Sequence, residues 1–389
     1  VLNIDLRIEE VEMRKSYRSI LSVGLLIAGL FLAWTPTASG IAMWSRRYSV
    51  PCSYCHAYPS LQLTATGVDF LRRGHRIEKD TIDKDLTHLL SAHVEWEFDV
   101  EQRQPTAFQT PVFHVHGGGA VSPAFSLYAD AGINDELEAA YLQYTLEKGS
   151  DSYFTARGGK LSPTLVRNYG NGLLASASTP LILTDTGLGQ NPFTPARGSF
   201  GVDVGGRWKS LFVQAGVVNG EDVEGQAAVN NHKDIYATAE VALPDGISGV
   251  GLYYYRGGYD LGDPTAGFLF DRYDRKGVLA NFTRDRFRLA GAYLFGKDKV
   301  STLLDRKIRG FWAQADLQAS GWLVPFARYD EIKTETDEET VRTRKGTVGC
   351  AVRLFESEIT GGRMVLEAFR KKVGGESASG AALNVLWTF

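Results

Sequence analysis

From His88 to Phe389 the residues alternate between apolar and polar with a period of two. Leu90, Ala92, Val94, Trp96 and Phe98 alternate with Ser91, His93, Glu95, Glu97 and Asp99. Ile235, Ala237, Ala239 and Val241 alternate with Tyr236, Thr238 and Glu240, and Phe311, Ala313, Ala315 and Leu317 with Trp312, Gln314 and Asp316. Successive side chains of a strand point to opposite faces, so each segment has one apolar and one polar face. A soluble sandwich would turn the apolar face inward. Two features favour a membrane barrel, apolar outward and polar inward. Segments of roughly ten residues recur about 16 times, an even count as single-chain bacterial barrels have. Their connections alternate loosely between tight (Val121–Ala124, Arg207–Lys209) and long (Gly220–Lys233, Glu331–Val341).

A third feature is the end of the chain, Leu386-Trp387-Thr388-Phe389. A terminal Phe on an alternating last strand resembles the outer-membrane assembly signal. The rhythm breaks once, from Ser162 to Arg197, which carries Pro163, Pro180, Pro192 and Pro195 and the apolar run Leu181-Ile182-Leu183. So long a connection is expected to be functional or folded into the lumen; an ordinary external loop is the competing reading.

The other end of the chain has the marks of export. Counting from Met13, Arg14, Lys15 and Arg18 form a basic start, Ile20 to Trp34 an apolar stretch, and Thr37 to Ala42 a run offering small residues for cleavage. That is the layout of a secretory signal, with an apolar stretch short for a membrane span. Residues 1–42 are accordingly expected to be upstream residues plus a signal peptide. An uncleaved inner-membrane anchor is the alternative.

Between these parts lies Pro51-Cys52-Ser53-Tyr54-Cys55-His56. C-x-x-C-H is the attachment pattern of c-type haem: two thiols add to the vinyl groups and the next histidine ligates the iron. A redox dithiol or half a zinc site also uses C-x-x-C. Export favours haem, because c-type haem is attached outside the cytoplasm. The segment 43–87 holds only about 45 residues, too few for a core of its own without a staple or cofactor. A haem would supply apolar surface for Tyr54, Tyr58, Leu61, Leu63, Val68, Phe70 and Leu71, with Val68, Leu71 and His75 on one helical face. Expected cofactor ligands are therefore Cys52, Cys55 and His56, with His75 as the second axial ligand. His88, His93, His114 and His116 are the other candidates, and Met43 and Met364 the only methionines past the signal. Arg72, Arg73 and Arg76 read either as partners of haem propionates or as a solvated basic turn.

Other constellations are weaker. His114 and His116 fall on one face of a strand, and Glu95, Glu97 and Asp99 project to the same side as His93; both sets suit cations but also ordinary lumen lining. Cys350, among Val348, Val352 and Leu354, reads as a small apolar residue. The net charge of -3 and the lack of a basic stripe argue against nucleic acid as a partner. No nucleophile elbow, phosphate loop or zincin motif occurs.

The expected fold class is all-β: a transmembrane antiparallel β-barrel of about 16 strands spanning 88–389, preceded by a short α-helical c-type haem module at 43–87. A signal peptide, one Cys52-Ser53-Tyr54-Cys55-His56 and a barrel ending in Phe resemble the fused monohaem cytochrome–porins of Gram-negative outer membranes, best known as iron oxidases. That resemblance implies one covalent haem c inside the barrel mouth. It also implies external Fe(II) as electron donor, a periplasmic c-type cytochrome or other carrier as acceptor, and outer-membrane lipid around the wall. Open alternatives are a porin whose haem is structural or sensory, and electron export to external acceptors.

Overall fold

The computed structural model describes residues 42–57, 62–77, 85, 88–102, 107–108, 111–133, 137–149, 151–161, 174–184, 193–195, 198–220, 232–261, 269–300, 305–356 and 360–389. The expected signal segment, Tyr58 and Leu61, and parts of the long connection at 162–173 and 185–192 lie outside them. The strands are β1 (Leu90–Glu101), β2 (Ala107–Phe108), β3 (Val112–Ala120), β4 (Phe125–Gly132), β5 (Leu137–Glu147), β6 (Ser152–Leu161), β7 (Ser199–Trp208), β8 (Leu211–Val218) and β9 (Asp234–Ala242). They continue as β10 (Gly249–Leu261), β11 (Leu269–Arg284), β12 (Phe287–Val300), β13 (Arg306–Leu317), β14 (Leu323–Glu335), β15 (Thr340–Glu356), β16 (Gly361–Val373) and β17 (Glu376–Thr388). Every neighbouring pair is antiparallel. The two-residue β2 and β3 both pair with β1, so together they make one interrupted stave of a 16-strand wall.

The wall closes because β1 pairs with β17 on one side and β3 on the other. Trp96 lies opposite Val385, and the terminal Phe389 exchanges backbone hydrogen bonds with Ala92 in both directions (2.8 and 2.9 Å). Closure removes the unpaired edge that an open sheet would expose to lipid. The tightest hairpins are two-residue turns: Lys209 and Asp285 take positive φ (56° and 51°), as does Gly374 (56°), the geometry that matches strand twist in such turns.

The faces are inverted relative to a soluble protein. Val202, Val204, Val213, Val217, Leu252 and Val278 are exposed outside, while Asp203, Gln214, Thr238, Gln314, Arg328 and Asp330 are buried inside. Phe125, Trp208, Phe287, Trp322 and Trp387 form an exposed aromatic girdle at the short-turn end. Phe295, Phe311 and Tyr329 lie higher on the outer face. Phe287 to Phe295 along β12 amounts to about 20 Å of height in a tilted strand, close to the apolar band of roughly 25 Å that such barrels present to lipid. Cys350 lies on the β15 stave in register with Pro325 and Leu366 and forms no disulfide.

Two expected boundaries move. The connection expected at Glu331–Val341 shrinks to 336–339, because Glu331, Lys333 and Glu335 are rungs of β14, not loop residues. Their charges are matched across the sheet: Arg344 Nε to Glu331 Oε2 (3.0 Å) and Arg309 Nη2 to Glu335 Oε1 (2.9 Å). Likewise β17 starts at Glu376, since Gly374-Gly375 turns the chain at once.

Candidate functional site

The module before the barrel is built of three short helices: α1 (Ala42–Tyr48), α2 (Cys52–Cys55) and α3 (Ala65–Arg72). α2 is a single turn that carries both cysteines of the motif. His56 leaves it in extended conformation, its backbone N–H donating to the Cys52 carbonyl at 2.8 Å. Neither cysteine is in a disulfide, and both are half-buried. Burial pushes the Cys55 thiol up to about 11, opposite to the depressed thiol of a redox dithiol. Two cysteines on one turn followed at once by a histidine are the donors that covalent haem attachment uses.

α3 packs on α2 at Gly67, where a Cβ would collide with the Cys55 carbonyl. Thr64 caps α3, its hydroxyl accepting from the Gly67 N–H (3.1 Å), and its own N–H donates to the Cys55 carbonyl (2.8 Å). The helix ends in a Schellman motif. Gly74 takes φ +81°, its N–H donating to Leu71 O (3.2 Å), and the His75 N–H donates to Phe70 O (2.9 Å). The motif brings its last residue over the helix's final turn, so the His75 ring meets Phe70 edge-on at 5.7 Å.

The module is fastened inside the short-turn end of the barrel. Arg72 Nη2 pairs with Glu240 Oε2 of β9 (2.5 Å, both side chains buried) and its guanidinium lies 3.8 Å over the Phe212 ring. Arg73 pairs with Glu147 of β5 (3.1 Å), and Asp69 with Arg207 of β7. Arg76, fully buried, donates to the carbonyls of Pro123 (2.7 Å) and Thr145 (3.4 Å). Gln143 Nε2 donates to Arg72 O (2.8 Å). The three arginines therefore do not form a solvated turn; they hold the plug to the wall.

His75 is 1% exposed. Its ring is stacked between Trp44 (4.6 Å, 7°) and Tyr128 of β4 (4.3 Å, 23°). Its Nδ1 is buried and finds no hydrogen-bond partner among the described residues. Burial first, then Arg157 and His116, push its pKa down to about 3, so the imidazole is neutral, the form that ligates iron. His56, by contrast, is half-buried at the end of α2, beside Leu63. His88 is half-buried near Asp85 (3.8 Å).

Beyond Tyr128 the wall carries three histidines. Strand register sets His93 opposite His114 and His116 opposite Asp130. His93 Nδ1 lies 2.7 Å from His116 Nε2, and His114 Nδ1 lies 3.1 Å from Asp130 Oδ1. The Tyr128 hydroxyl is 3.4 Å from both His116 Nδ1 and Asp130 Oδ2. His93, His114 and His116 were legible as lumenal residues, whereas Tyr128, Asp130 and Glu138 were not. For Tyr128 and Asp130 the only signal is alternation on β4; Glu138 is out of phase with the lumenal residues of β5 and joins them at a register shift between Leu137 and Ala139, which spacing does not reveal. Glu95, expected beside them, pairs instead with Asn384 of β17.

The long connection folds inward where it is described. Arg363 Nη2 donates to the carbonyls of Leu174 (3.0 Å) and Ala175 (2.5 Å), and Arg328 to Ser176 Oγ (2.8 Å) and Ser178 O (2.5 Å). Glu367 accepts from the Ala177 and Ser178 N–H groups and from Ser178 Oγ. The short helix α4 (Leu181–Thr184) buries Leu181, Ile182 and Leu183, and Phe193 packs on Tyr255 and Tyr273 (4.5 and 5.1 Å). An external loop is thereby ruled out for these residues: they line the β10–β16 side of the lumen while the N-terminal module lines the β3–β9 side.

A closed antiparallel wall with an apolar exterior and a charged lumen defines an outer-membrane β-barrel of porin-like fold. Known structures of that fold are similar to it. An anion-selective porin from Comamonas acidovorans aligns with TM-score 0.59 at 14% identity, over 77% of this chain and 98% of its own. Outer-membrane expressed OmpT of Vibrio cholerae gives 0.58 at 11%, over 80% and 100%. Salmonella typhi OmpF, in complex with daunomycin, gives 0.54 at 9%, over 77% and 97%. No protein-family model and no curated protein matches the sequence. The likeness is one of fold.

Proposed function

We propose that this barrel is an electron conduit: a porin-like wall holding one c-type haem, bound through Cys52 and Cys55 and ligated by His56, in its short-turn mouth. The observation that carries the reading is the C-x-x-C-H module itself, ion-paired into the lumen by Arg72, Arg73 and Asp69. Short turns face the periplasm in barrels of this class, so the module is on the side where soluble carriers dock. When bound, the haem supplies one-electron chemistry; the protein sets its position, its access and its ligands. α2 presents the thiols, Gly67 lets α3 back the attachment turn, and the arginine pairs hold the module against the wall. His75 is the proposed distal ligand, supported by its neutral ring and its unpartnered Nδ1. The proposed donor is external Fe(II) and the proposed acceptor a periplasmic carrier.

The test is spectroscopic. Purified full-length protein should retain haem after denaturation, and Cys52→Ala with Cys55→Ala should abolish it. Fe(II) added to the oxidised protein should reduce the haem. Absence of covalent haem in protein made with the c-type attachment machinery would end this reading. His75→Ala should abolish the low-spin spectrum; an unchanged spectrum makes His75 a docking residue only.

A second reading is favoured by the fold likeness: solute diffusion, as in the anion-selective porin, with any haem structural. The module and the inward segment each occupy part of the lumen, which would narrow such a path. Planar-bilayer recording separates the two, because a porin conducts with the module in place and a plugged conduit does not.

A further inference from the structure

Three imidazoles and two carboxylates converge at one place on the inner wall, apart from the cysteine motif. One potential ligand atom each from His114, Asp130 and Glu138 lies within 4.8 Å of the others. His116 Nδ1 is 3.4 Å from the same Asp130 oxygen, and His93 stacks on His114 at 4.5 Å and 19°. The strands fix this arrangement: His114 on β3, Asp130 on β4 and Glu138 on β5 are successive staves, and the His116–Asp130 rung is in direct register. His114 is buried and Glu138 exposed, so the cluster has a closed inner side and an open one.

We propose that His114, Asp130 and Glu138 bind a divalent first-row transition cation, with His116 and His93 as the surrounding shell. Oxygen-only cages suit Ca2+ and Mg2+; imidazole combined with two carboxylates suits Fe(II), Co(II) or Zn(II). Two ligands with bonds of about 2.1 Å to one cation lie roughly 3–4 Å apart; His114 and Asp130, at 3.1 Å, already meet this, and Glu138, within 4.8 Å of both, needs only a small inward movement. The carboxylates offset the cation's charge, and Glu138 gives it an entry. Packing three rings together is costly if they are protonated, whereas around a cation neutral rings are the ligating form. His116 orients the Asp130 carboxylate, and Tyr128, hydrogen-bonded to both, stacks on His75 of the module. The site is made of wall residues only, so it stands whether or not a haem is carried.

Equilibrium dialysis of the full-length, tag-free protein against Co(II), with elemental analysis of both sides, tests it. Wild type should take up one equivalent per chain. His114→Ala and, separately, Glu138→Gln should each weaken binding tenfold or more. Glu138 is exposed, so its variant keeps the test valid if His114→Ala fails to fold; heat-dependent migration on gels reports the fold of each. Less than stoichiometric uptake by wild type, or one isotherm shared by wild type and Glu138→Gln, would overturn the site.

Discussion

Gly74 shows how much one residue decides here. It needs φ +81°, and a Cβ there would run into Ser126 Oγ and Gln143 of the wall. Gly74→Ala is expected to cost about 1–3 kcal/mol of docking from backbone strain alone, seen as faster proteolysis of the module in an intact barrel. Arg72→Ala should cost more, about 3–5 kcal/mol, because it leaves Glu240 buried without its cation; restoration by the double variant with Glu240→Gln would separate charge from packing. His75 adds a pH dependence. Its folded pKa is about 3 against an ordinary 6.5, so the released module binds a proton that the docked one refuses. Docking is unaffected above about pH 6.5 and weakens as pH falls toward 3, by up to about 1.4 kcal/mol per unit. Protease sensitivity that rises between pH 6.5 and 5 in wild type but not in His75→Ala is the expected result. Residues that act with their immediate neighbours in sequence were legible as a pattern: Cys52, Cys55 and His56 stand together in the chain. The wall partners of Arg72 and Arg73, Glu240 and Glu147, were not legible because they are remote in sequence and meet them only in the barrel.

At the level of elements, alternation identified nearly every stave, because lipid outside and water inside impose opposite demands on the two faces. It failed where that contrast fades. Glu331, Lys333 and Glu335 read as a loop because β14 continues past the apolar band, where cross-strand ion pairs replace it. The inward segment around α4 was legible only as a length anomaly. Its anchorage to Arg328, Arg363 and Glu367 belongs to tertiary structure. Glu367→Ala removes three accepted hydrogen bonds and should loosen that anchorage by about 3 kcal/mol. The expected readout is more frequent channel opening in planar bilayers; recordings identical to wild type would show that the segment is held by its apolar contacts instead.

For the whole molecule, the fold sets an apolar wall around a lumen that holds the N-terminal module and the inward segment. Hydrocarbon about 30 Å thick is crossed without any membrane-spanning helix among the described residues. The N-terminal module occupies one side of the lumen and the returning segment the other, and the wall histidines lie next to Tyr128, against which the module's His75 stacks. Closure through Phe389 and Ala92 ties both ends of the barrel into one ring, so deleting Phe389 should reduce assembled barrel without changing the haem content per assembled molecule. We propose electron passage across the membrane by way of the haem. Its most direct measurement uses liposomes that enclose an oxidised soluble c-type cytochrome, carry the protein in their bilayer and receive Fe(II) outside. The account predicts reduction of the enclosed cytochrome with wild type and none with Cys52→Ala/Cys55→Ala. No reduction with haem-loaded wild type, or equal reduction with the variant, would contradict it.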